Sequence, residues 1–344
     1  MNIVVISHAG CPDGVAAAWA IYRKFPKSTF HFTSERDITK DSLPDLTGKI
    51  VYIVDYSYPK EVLLELISKV KYLYLWDHHN TAIEDLSEIP HSGPNWNFVL
   101  DTTKCGAEIT WEQLNLYREA IDSSTWEQLN LCREAIDSSS NRTRIGQPLV
   151  DLNREAIPYI IRPWFLKHIR DRDLWLWEDP NSRAFSQYFF EKGLTMETLD
   201  SILKSDPEEI YRIGNELLIK QQKVIDAAVA RSEEFRFTCS LGVFLVNVVN
   251  QDTYQSEVGN ALCTTQIPNR ISYLKYDFAV VLRNSDSYRK VSNLIADPDA
   301  DISVSLRGVG KIDLSRVAKS FGGGGHFNAA GFKCKLSKLG TILS

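Results

Sequence analysis

The chain has 344 residues, which is more than one ordinary hydrophobic core holds, so two domains are expected. Apolar residues make up 44% and charged residues 24%, a mixture that excludes extended disorder. The net charge of −5 argues against a protein that binds long duplex nucleic acid, because such proteins neutralise many phosphates. A small phosphorylated ligand is compatible with this charge.

The N-terminal sequence and the cysteines predict a soluble, cytoplasmic protein without a membrane partner. The segment 1–7 shows no basic leader, and no run of about 18 apolar residues occurs. The six cysteines have no CxxC spacing, so neither a zinc knuckle nor a disulfide framework is indicated. The sequence leaves open whether the chain is a monomer or a homodimer.

Strands alternate with helical patterns in the N-terminal part of the chain. Apolar, β-rich runs predict buried strands at 3–6, 50–54 and 72–76, with helical patterns at 15–25 and 60–70. This alternation predicts an α/β domain with a parallel sheet. Ligands bind at the carboxyl ends of the strands in such sheets, and His8, Asp55 and Asp77 each follow one of these strands. We therefore expect the three polar turns to converge on one sheet edge.

The segment 110–124 is repeated almost unchanged at 125–139, and only Tyr117 differs, as Cys132. Each copy opens with a Thr-x-x-Gln capping box and carries an apolar stripe with helical spacing. The repeat predicts a helical insertion at 110–139, either as one continuous helix or as two short ones. We interpret it as a tolerated local insertion rather than a partner-binding device.

The C-terminal half predicts a second, smaller α/β domain with a mixed sheet. A helical pattern covers 196–235, with Asp206 as a plausible N-cap before proline. Runs at 237–249, 278–282 and 302–306 predict strands. The predicted organisation is a catalytic metal-binding domain at 1–190, a helical linker at 191–235 and a substrate-binding domain at 236–344.

Three short segments carry candidate metal ligands. His8 and Asp13 flank one turn and offer nitrogen and oxygen donors to one divalent ion, although Asp13 is equally suited to cap the following helix. Asp55 ends an apolar strand, where a carboxylate must be solvated, paired or bound to metal, or else cap the turn. The adjacent His78 and His79 point in different directions, so one can ligate metal while the other faces a substrate.

Several residues are candidates for substrate binding. Four successive glycines, 322–325, expose backbone N–H groups that suit phosphate oxygens, with a flexible linker as the alternative. Arg307 offers a bidentate match to phosphate. The remaining candidates are His326 as a donor, Lys104 beside the cleft, Ser256 and Glu257 in a strand-to-helix turn, and Phe321 or Phe327 as a stacking surface for a base.

These motifs together resemble the DHH phosphoesterase superfamily, in the form that carries a DHH-associated C-terminal domain. Asp77-His78-His79 is similar to the name-giving motif, and the segments around His8–Asp13 and Asp55 are similar to the first and second motifs. The glycine run with Ala329-Ala330-Gly331 is similar to the C-terminal signature. The resemblance covers nearly the whole chain apart from the duplicated segment.

The resemblance implies two manganese ions, with magnesium as the alternative, and an attacking water activated between them. The implied metal and catalytic residues are His8, Asp13 and Asp55 for one ion, Asp55, Asp77, His78 and a further aspartate for the other, and His79 as a donor or general acid to the phosphate. Asp171 is the first choice for the further aspartate and Asp173 the second. Many relatives have a carboxylate where this chain has Val15, so occupancy of the second site is the open point.

The predicted function is hydrolysis of a phosphodiester bond in a short oligonucleotide or small nucleotide, in the manner of an oligoribonuclease. The alternatives are an exopolyphosphatase, a phosphatase of 3′-phosphorylated adenosine nucleotides, and a non-catalytic nucleotide-binding protein. The acidic net charge favours short substrates, because long single strands prefer a basic groove.

Overall fold

The computed structural model describes residues 2–34, 43–115, 162–264, 276–283, 291 and 300–344. The chain divides into two compact units. The first unit comprises Met1–His78 and His91–Ile210, and the second comprises His79–Pro90 and Tyr211–Ser344. Most of the predicted helical duplication at 110–139 lies outside the described residues, and only its first residues, 110–115, are described, as helix.

The elements alternate between strand and helix in both units. The strands are β1 (Ile3–His8), β2 (Thr29–Thr33), β3 (Ile50–Val54), β4 (Tyr72–Asp77), β5 (Ser92–Gly93), β6 (Trp96–Leu100), β7 (Glu233–Cys239), β8 (Gly242–Asn250), β9 (Phe278–Arg283), β10 (Asp301–Arg307), β11 (Gly324–Gly325) and β12 (Ala329–Lys335). The helices are α1 (Pro12–Lys24), α2 (Lys60–Lys69), α3 (Asn80–Leu86), α4 (106–115), α5 (Leu166–Asp173), α6 (Ser182–Lys192), α7 (Met196–Lys204), α8 (Pro207–Ala230), α9 (Gln255–Thr264), α10 (Leu314–Lys319) and α11 (Leu336–Ile342).

The first unit is built on a six-stranded sheet in the order β2-β1-β3-β4-β6-β5. Strands β2, β1, β3, β4 and β6 run parallel, and the short edge strand β5 is antiparallel to β6. Helix α1 begins with Pro12, whose fixed φ suits the first helical position, and buries an alanine-rich face against β1. Trp19 on α1 packs edge-on against Phe165 at a centroid distance of 5.2 Å. Helices therefore pack over a face of the parallel sheet.

The second unit is built on a six-stranded mixed sheet in the order β11-β12-β10-β9-β8-β7. Strands β8 and β9 are parallel and connected through α9, whereas the other neighbours are antiparallel. Alternate residues of β9 face opposite ways: Val280 and Leu282 pack with α10, and Ala279 and Val281 pack with α9. Because both faces of this strand are covered, its sequence is an almost continuous apolar run.

The predicted fold class, two α/β domains with a parallel and a mixed sheet, is confirmed. Two predicted segments differ in detail. The helical pattern at 196–235 contains α7 and α8, but it ends at Ala230, because β7 begins at Glu233. The single strand predicted at 237–249 is a hairpin that turns at Ser240 and Leu241. No helix among the described residues is long and apolar enough to span a membrane.

Candidate metal centre

The three polar turns meet at the carboxyl edge of the first sheet. Strands β1, β3 and β4 are neighbours in parallel register, with Ser7 opposite Val54 and Val54 opposite Trp76. The next residue on each strand is therefore His8, Asp55 or Asp77. The structure brings these predicted residues together, because parallel strands in register end at the same sheet edge.

The Nε2 atom of His78 lies at the centre of a group of carboxylates. It is 3.0 Å from Asp55 Oδ1, 3.4 Å from Asp173 Oδ2 and 3.5 Å from Asp13 Oδ2. One ring nitrogen carries either one proton or one lone pair, so it satisfies one of these oxygens at a time. The three aspartates come from different elements and surround one imidazole nitrogen. A cation shared among them would stabilise this arrangement.

The start of α4 holds Asp13 in place. The backbone N–H of Gly106 donates to Asp13 Oδ2 at 2.6 Å, and that of Ala107 donates to Asp13 Oδ1 at 2.8 Å. The first N–H groups of a helix have no partner within the helix and carry partial positive charge, so they stabilise the buried carboxylate. Asp13 lies within α1 and accepts its hydrogen bonds from α4, which favours a role at the metal centre over the alternative of capping α1.

Gly106 also determines how close α4 approaches Asp55. A Cβ atom at Gly106 would lie 2.6 Å from the Asp55 Cβ, so any larger residue would push the two elements apart. Asp55 itself has a left-handed backbone with φ of 51°, which aspartate tolerates better than most residues. The close packing of these two residues fixes the carboxylate that faces both His8 and His78.

Burial and mutual repulsion perturb the ionisable groups of the cluster. Burial, followed by the charges of Asp55 and Asp173, raises the pKa of Asp13 well above its usual range. Burial alone would lower the pKa of His78, but Asp173, Asp55 and Asp13 outweigh it and raise that pKa well above its usual value. The carboxylates therefore disfavour one another's ionised forms, and a bound positive charge would stabilise them.

The donor set fits divalent metal ions. Among the residues of the first unit, ligand atoms come within 4.8 Å of one another in three groups: Asp55, Asp77 and His78; Asp13, His78 and Asp173; and His8, Cys11 and Asp55. Carboxylate and imidazole donors suit manganese and related divalent ions. Asp55 and His78 each belong to two groups, which is the sharing that a two-ion centre needs.

The structure brings Asp173, and not Asp171, to this cluster. Asp171 Oδ2 instead accepts from the backbone N–H of Asp179 at 2.8 Å and from Ser182 Oγ at 2.7 Å. Residues two positions apart on a helix point about 200° apart, so only one of the two can face the sheet edge. Of the two candidate aspartates, Asp173 is therefore the one whose carboxylate lies at the cluster.

Lys104, the predicted cleft residue of the first unit, is engaged in ion pairs. Its Nζ donates to Glu112 Oε2 at 2.6 Å and lies 3.8 Å from Asp101 Oδ2. The geometry assigns Lys104 to the loop before α4, where it neutralises two carboxylates. A role in substrate binding would require it to leave Glu112.

Two hydrogen bonds hold the guanidinium group of Arg307 in the second unit. Its Nη2 donates to Ser256 Oγ at 2.9 Å, and its Nη1 donates to the carbonyl oxygen of Leu306 at 2.8 Å. Ser256 lies in the first turn of α9, as predicted for a strand-to-helix turn, and Glu257 beside it is buried. Two of the predicted substrate contacts, Arg307 and Ser256, are thus neighbours in space.

The glycine run closes a helix and starts a strand. Gly322, with φ of 79°, donates from its N–H to Lys319, and Gly323 donates to Ala318 at 2.9 Å, which is the Schellman pattern at the end of α10. Gly324 and Gly325 then pair with β12 as β11. The backbone N–H groups of Gly322 and Gly323 are therefore hydrogen-bonded within the fold, and Gly324 and Gly325 lie on a strand that is paired with β12.

The aromatic side chains of the second unit differ in exposure. His79, the N-cap of α3, stacks on His326 at a centroid distance of 4.6 Å. Phe321 is packed inside the unit against Phe332 at 4.4 Å. Phe327 is 39% exposed, so of the two predicted stacking residues it is the one that can meet a ligand.

Two contributors to the site were missed by the sequence reasoning. The sequence pattern assigns no role to Cys11, yet this residue belongs to one of the donor groups. It assigns none to the backbone of Gly106 and Ala107 either, although both N–H groups donate to Asp13. A glycine directly before a helical pattern was the available signal for a helix start that approaches another element closely.

A sequence model of the DHHA1 domain family matches residues 269–344. Over these residues the match bears out the resemblance to the DHH phosphoesterase superfamily with its associated C-terminal domain. The DHHA1 match covers β9 to α11 of the second unit, including Arg307 and the glycine run. The DHH motif residues lie in the remaining part of the chain.

Relatives of known sequence or structure are distant. The uncharacterized protein R106 of Acanthamoeba polyphaga mimivirus is 23% identical over 343 residues, which is 95% of this chain and 66% of that protein. The pGpG-specific phosphodiesterase PggH from Vibrio cholerae is 12% identical, with a TM-score of 0.42 over 99% of this chain and 96% of its own. RecJ from Thermus thermophilus, solved with Mn²⁺, is 14% identical, with a TM-score of 0.45 over 99% and 50%. Similarities at this level carry no argument about activity.

Proposed function

We propose that this protein is a metal-dependent phosphoesterase that uses two divalent ions, with manganese as the first candidate and magnesium as the second. The single observation that supports this best is the crowding of Asp13, Asp55 and Asp173 around Nε2 of His78. Such a buried cluster is costly without a cation, because like charges repel strongly away from water. The N/O donor set favours a hard or borderline divalent ion.

When bound, a divalent pair supplies charge neutralisation of the phosphate and activation of a water molecule. The chain's own residues orient these partners. Gly106 and Ala107 fix Asp13, and Asp55 is held by its contact with Gly106. His79 follows His78 in the chain and is proposed to donate a proton from its ring nitrogen to a phosphate oxygen.

We further propose that the substrate is a short oligonucleotide or a small nucleotide. Arg307 anchored by Ser256 offers a guanidinium to a phosphate, and exposed Phe327 offers a face on which a base can stack. A polyphosphate chain has no base and gains nothing from Phe327. This exposure is what favours the nucleotide over the exopolyphosphatase alternative.

The proposal is tested with a substrate panel in the presence of manganese. The panel contains dinucleotides, cyclic dinucleotides, 3′-phosphoadenosine 5′-phosphate and polyphosphate. We expect turnover of at least one nucleotide, and loss of that turnover in Asp77→Ala, because Asp77 lies in the donor cluster. Turnover confined to polyphosphate would overturn the substrate assignment, and unchanged hydrolysis by Asp77→Ala would overturn the catalytic one.

The remaining alternative is a non-catalytic nucleotide-binding protein. It is separated from the enzyme by manganese binding and hydrolysis measured on the same sample. A protein that binds nucleotide but no manganese, and that hydrolyses none of the panel, fits this alternative.

A further inference from the structure

We infer that Cys11 is a thiolate ligand of the metal position formed with His8 and Asp55. This inference rests on the proposed metal-dependent function and goes beyond it, because it names a sulfur donor. The Cys11 Sγ, a ring nitrogen of His8 and a carboxylate oxygen of Asp55 all lie within 4.8 Å of one another. His8 Nδ1 is itself 3.7 Å from Asp55 Oδ2.

The position of Cys11 in the fold aims it at this group. It is the N-cap residue of α1, in extended backbone conformation, one residue before the proline that starts the helix. His8 ends β1, so the short turn from 8 to 12 returns the cysteine to the strand end. The residue as a whole is partly exposed.

The carboxylates of the cluster are grouped so that, among the described residues, the metal position of His8 and Asp55 has no second carboxylate, and a sulfur donor can complete it. Asp13 is bound by the start of α4 and groups with His78 and Asp173 rather than with His8. Val15, at the position where many relatives have a carboxylate, is an apolar core residue that is 3% exposed. Asp13 therefore occupies the carboxylate role of the second position, and Cys11 completes the first.

Binding at this position releases the Cys11 thiol proton to water, and the sulfur donates a lone pair to the ion. A thiolate donor shifts the preference of a site toward softer ions such as zinc, cadmium and cobalt(II). The position with Cys11 is thus expected to bind these ions more tightly than the all-nitrogen-and-oxygen position does.

The test is cobalt(II) titration of the full chain without oxygen, followed by absorption. Thiolate ligation produces a sulfur-to-cobalt charge-transfer band in the near ultraviolet, which neither carboxylate nor imidazole produces. We expect the band in the wild type and in Cys105→Ser, and its loss in Cys11→Ser. Cys105 is the matched control, because it is fully buried near Asp13 but belongs to none of the donor groups.

Serine is a favourable N-cap residue, so Cys11→Ser keeps the start of α1 intact, and circular dichroism checks the fold. Cadmium affinity measured by calorimetry should fall at least roughly tenfold in Cys11→Ser, because even the loss of partners that support metal ligands costs that much. Manganese affinity should fall less, since manganese prefers oxygen donors.

Two results overturn the inference: a charge-transfer band that survives in Cys11→Ser, or wild-type protein that binds cobalt without the band. Either leaves the proposed phosphoesterase function standing if manganese supports hydrolysis. Conversely, a band that depends on Cys11 in a protein without hydrolytic activity supports the ligand and removes the function. Wild-type protein that binds no divalent ion would contradict both the inference about Cys11 and the proposed phosphoesterase function.

Discussion

Asp171 and Asp173 lie on the same helix but make different contacts. Asp173 Oδ2 is 3.4 Å from Nε2 of His78 at the donor cluster. Asp171 is 3% exposed and accepts hydrogen bonds from the backbone of Asp179 and from Ser182. Its carboxylate thereby satisfies polar groups where α6 begins, and its contribution is to the fold.

This division gives a paired prediction for two matched substitutions. Asp173→Asn should lower manganese affinity at least about tenfold while leaving the unfolding temperature little changed, because it removes a donor but keeps the side-chain size. Asp171→Asn should do the reverse, costing about 1–3 kcal/mol of stability through its buried hydrogen bonds. Calorimetric manganese titration and thermal unfolding measure the two effects. Equal loss of manganese affinity in both variants would contradict the assignment.

At the scale of elements, helix starts position the site. The first turn of α4 holds Asp13 through two backbone N–H groups and touches Asp55 through Gly106. Helix α5 carries Asp173, and its own orientation depends on α6, because buried His168 on α5 contacts Ser182 Oγ at 2.8 Å. The positions of the donor residues therefore depend on how these helices pack.

Gly106→Ala should disturb the centre through packing alone. The added methyl group would lie 2.6 Å from the Asp55 Cβ, so α4 or β3 must shift. We expect a loss of about 1–3 kcal/mol in the free energy of unfolding, together with weaker manganese binding. Ala107→Gly in the same turn serves as the control, because it adds no atom. Wild-type manganese affinity in Gly106→Ala would show that α4 does not set the position of Asp55.

The contact between α5 and α6 predicts a pH dependence of stability. Burial lowers the pKa of His168 to about 4; the charge of Asp179 opposes this shift, and the charge of Lys167 adds to it. An unfolded histidine titrates near 6.5, so between these values the unfolded chain binds a proton that the folded chain does not. The free energy of unfolding is therefore expected to fall as pH falls from about 6.5 to about 4.

Denaturant unfolding across this pH range measures the effect. In His168→Gln the fall should be smaller by roughly 3 kcal/mol, because the pKa differs between about 6.5 and about 4 and each pKa unit corresponds to about 1.4 kcal/mol. The exposed His91 provides the control, and His91→Gln should follow the wild type. Parallel curves for the wild type and His168→Gln would rule out a neutral buried imidazole.

At the scale of the whole molecule, the candidate metal donors and the candidate phosphate ligand belong to different units. The donors His8, Asp13, Asp55 and His78 lie in the first unit, and Arg307 lies in the DHHA1 region of the second. Metal binding and substrate binding are therefore separable by mutation. The net charge of −5 favours binding of a small phosphorylated substrate by such local groups over binding by an extended basic surface.

Arg307→Ala should raise the KM for nucleotide substrates at least about tenfold, since a charge-assisted hydrogen bond to phosphate contributes roughly 1.5–3 kcal/mol. Manganese affinity should remain that of the wild type. Arg316→Ala, on helix α10 of the same unit, is the control for loss of one positive charge. Steady-state kinetics with dinucleotides decides the point, and an unchanged KM would remove Arg307 from the substrate site.

The sequence by itself determined the α/β class, the parallel strands and the three polar turns, because strand periodicity and apolar runs are local properties. The sequence also contains the DHH and glycine motifs. Only the tertiary structure decided between Asp171 and Asp173, brought Cys11 to His8, and placed the N–H groups of α4 on Asp13. These outcomes depend on which way side chains point and on how closely elements that are distant in sequence approach one another. Spacing along a chain does not contain that information, since a helix or turn fits several neighbours until packing selects one.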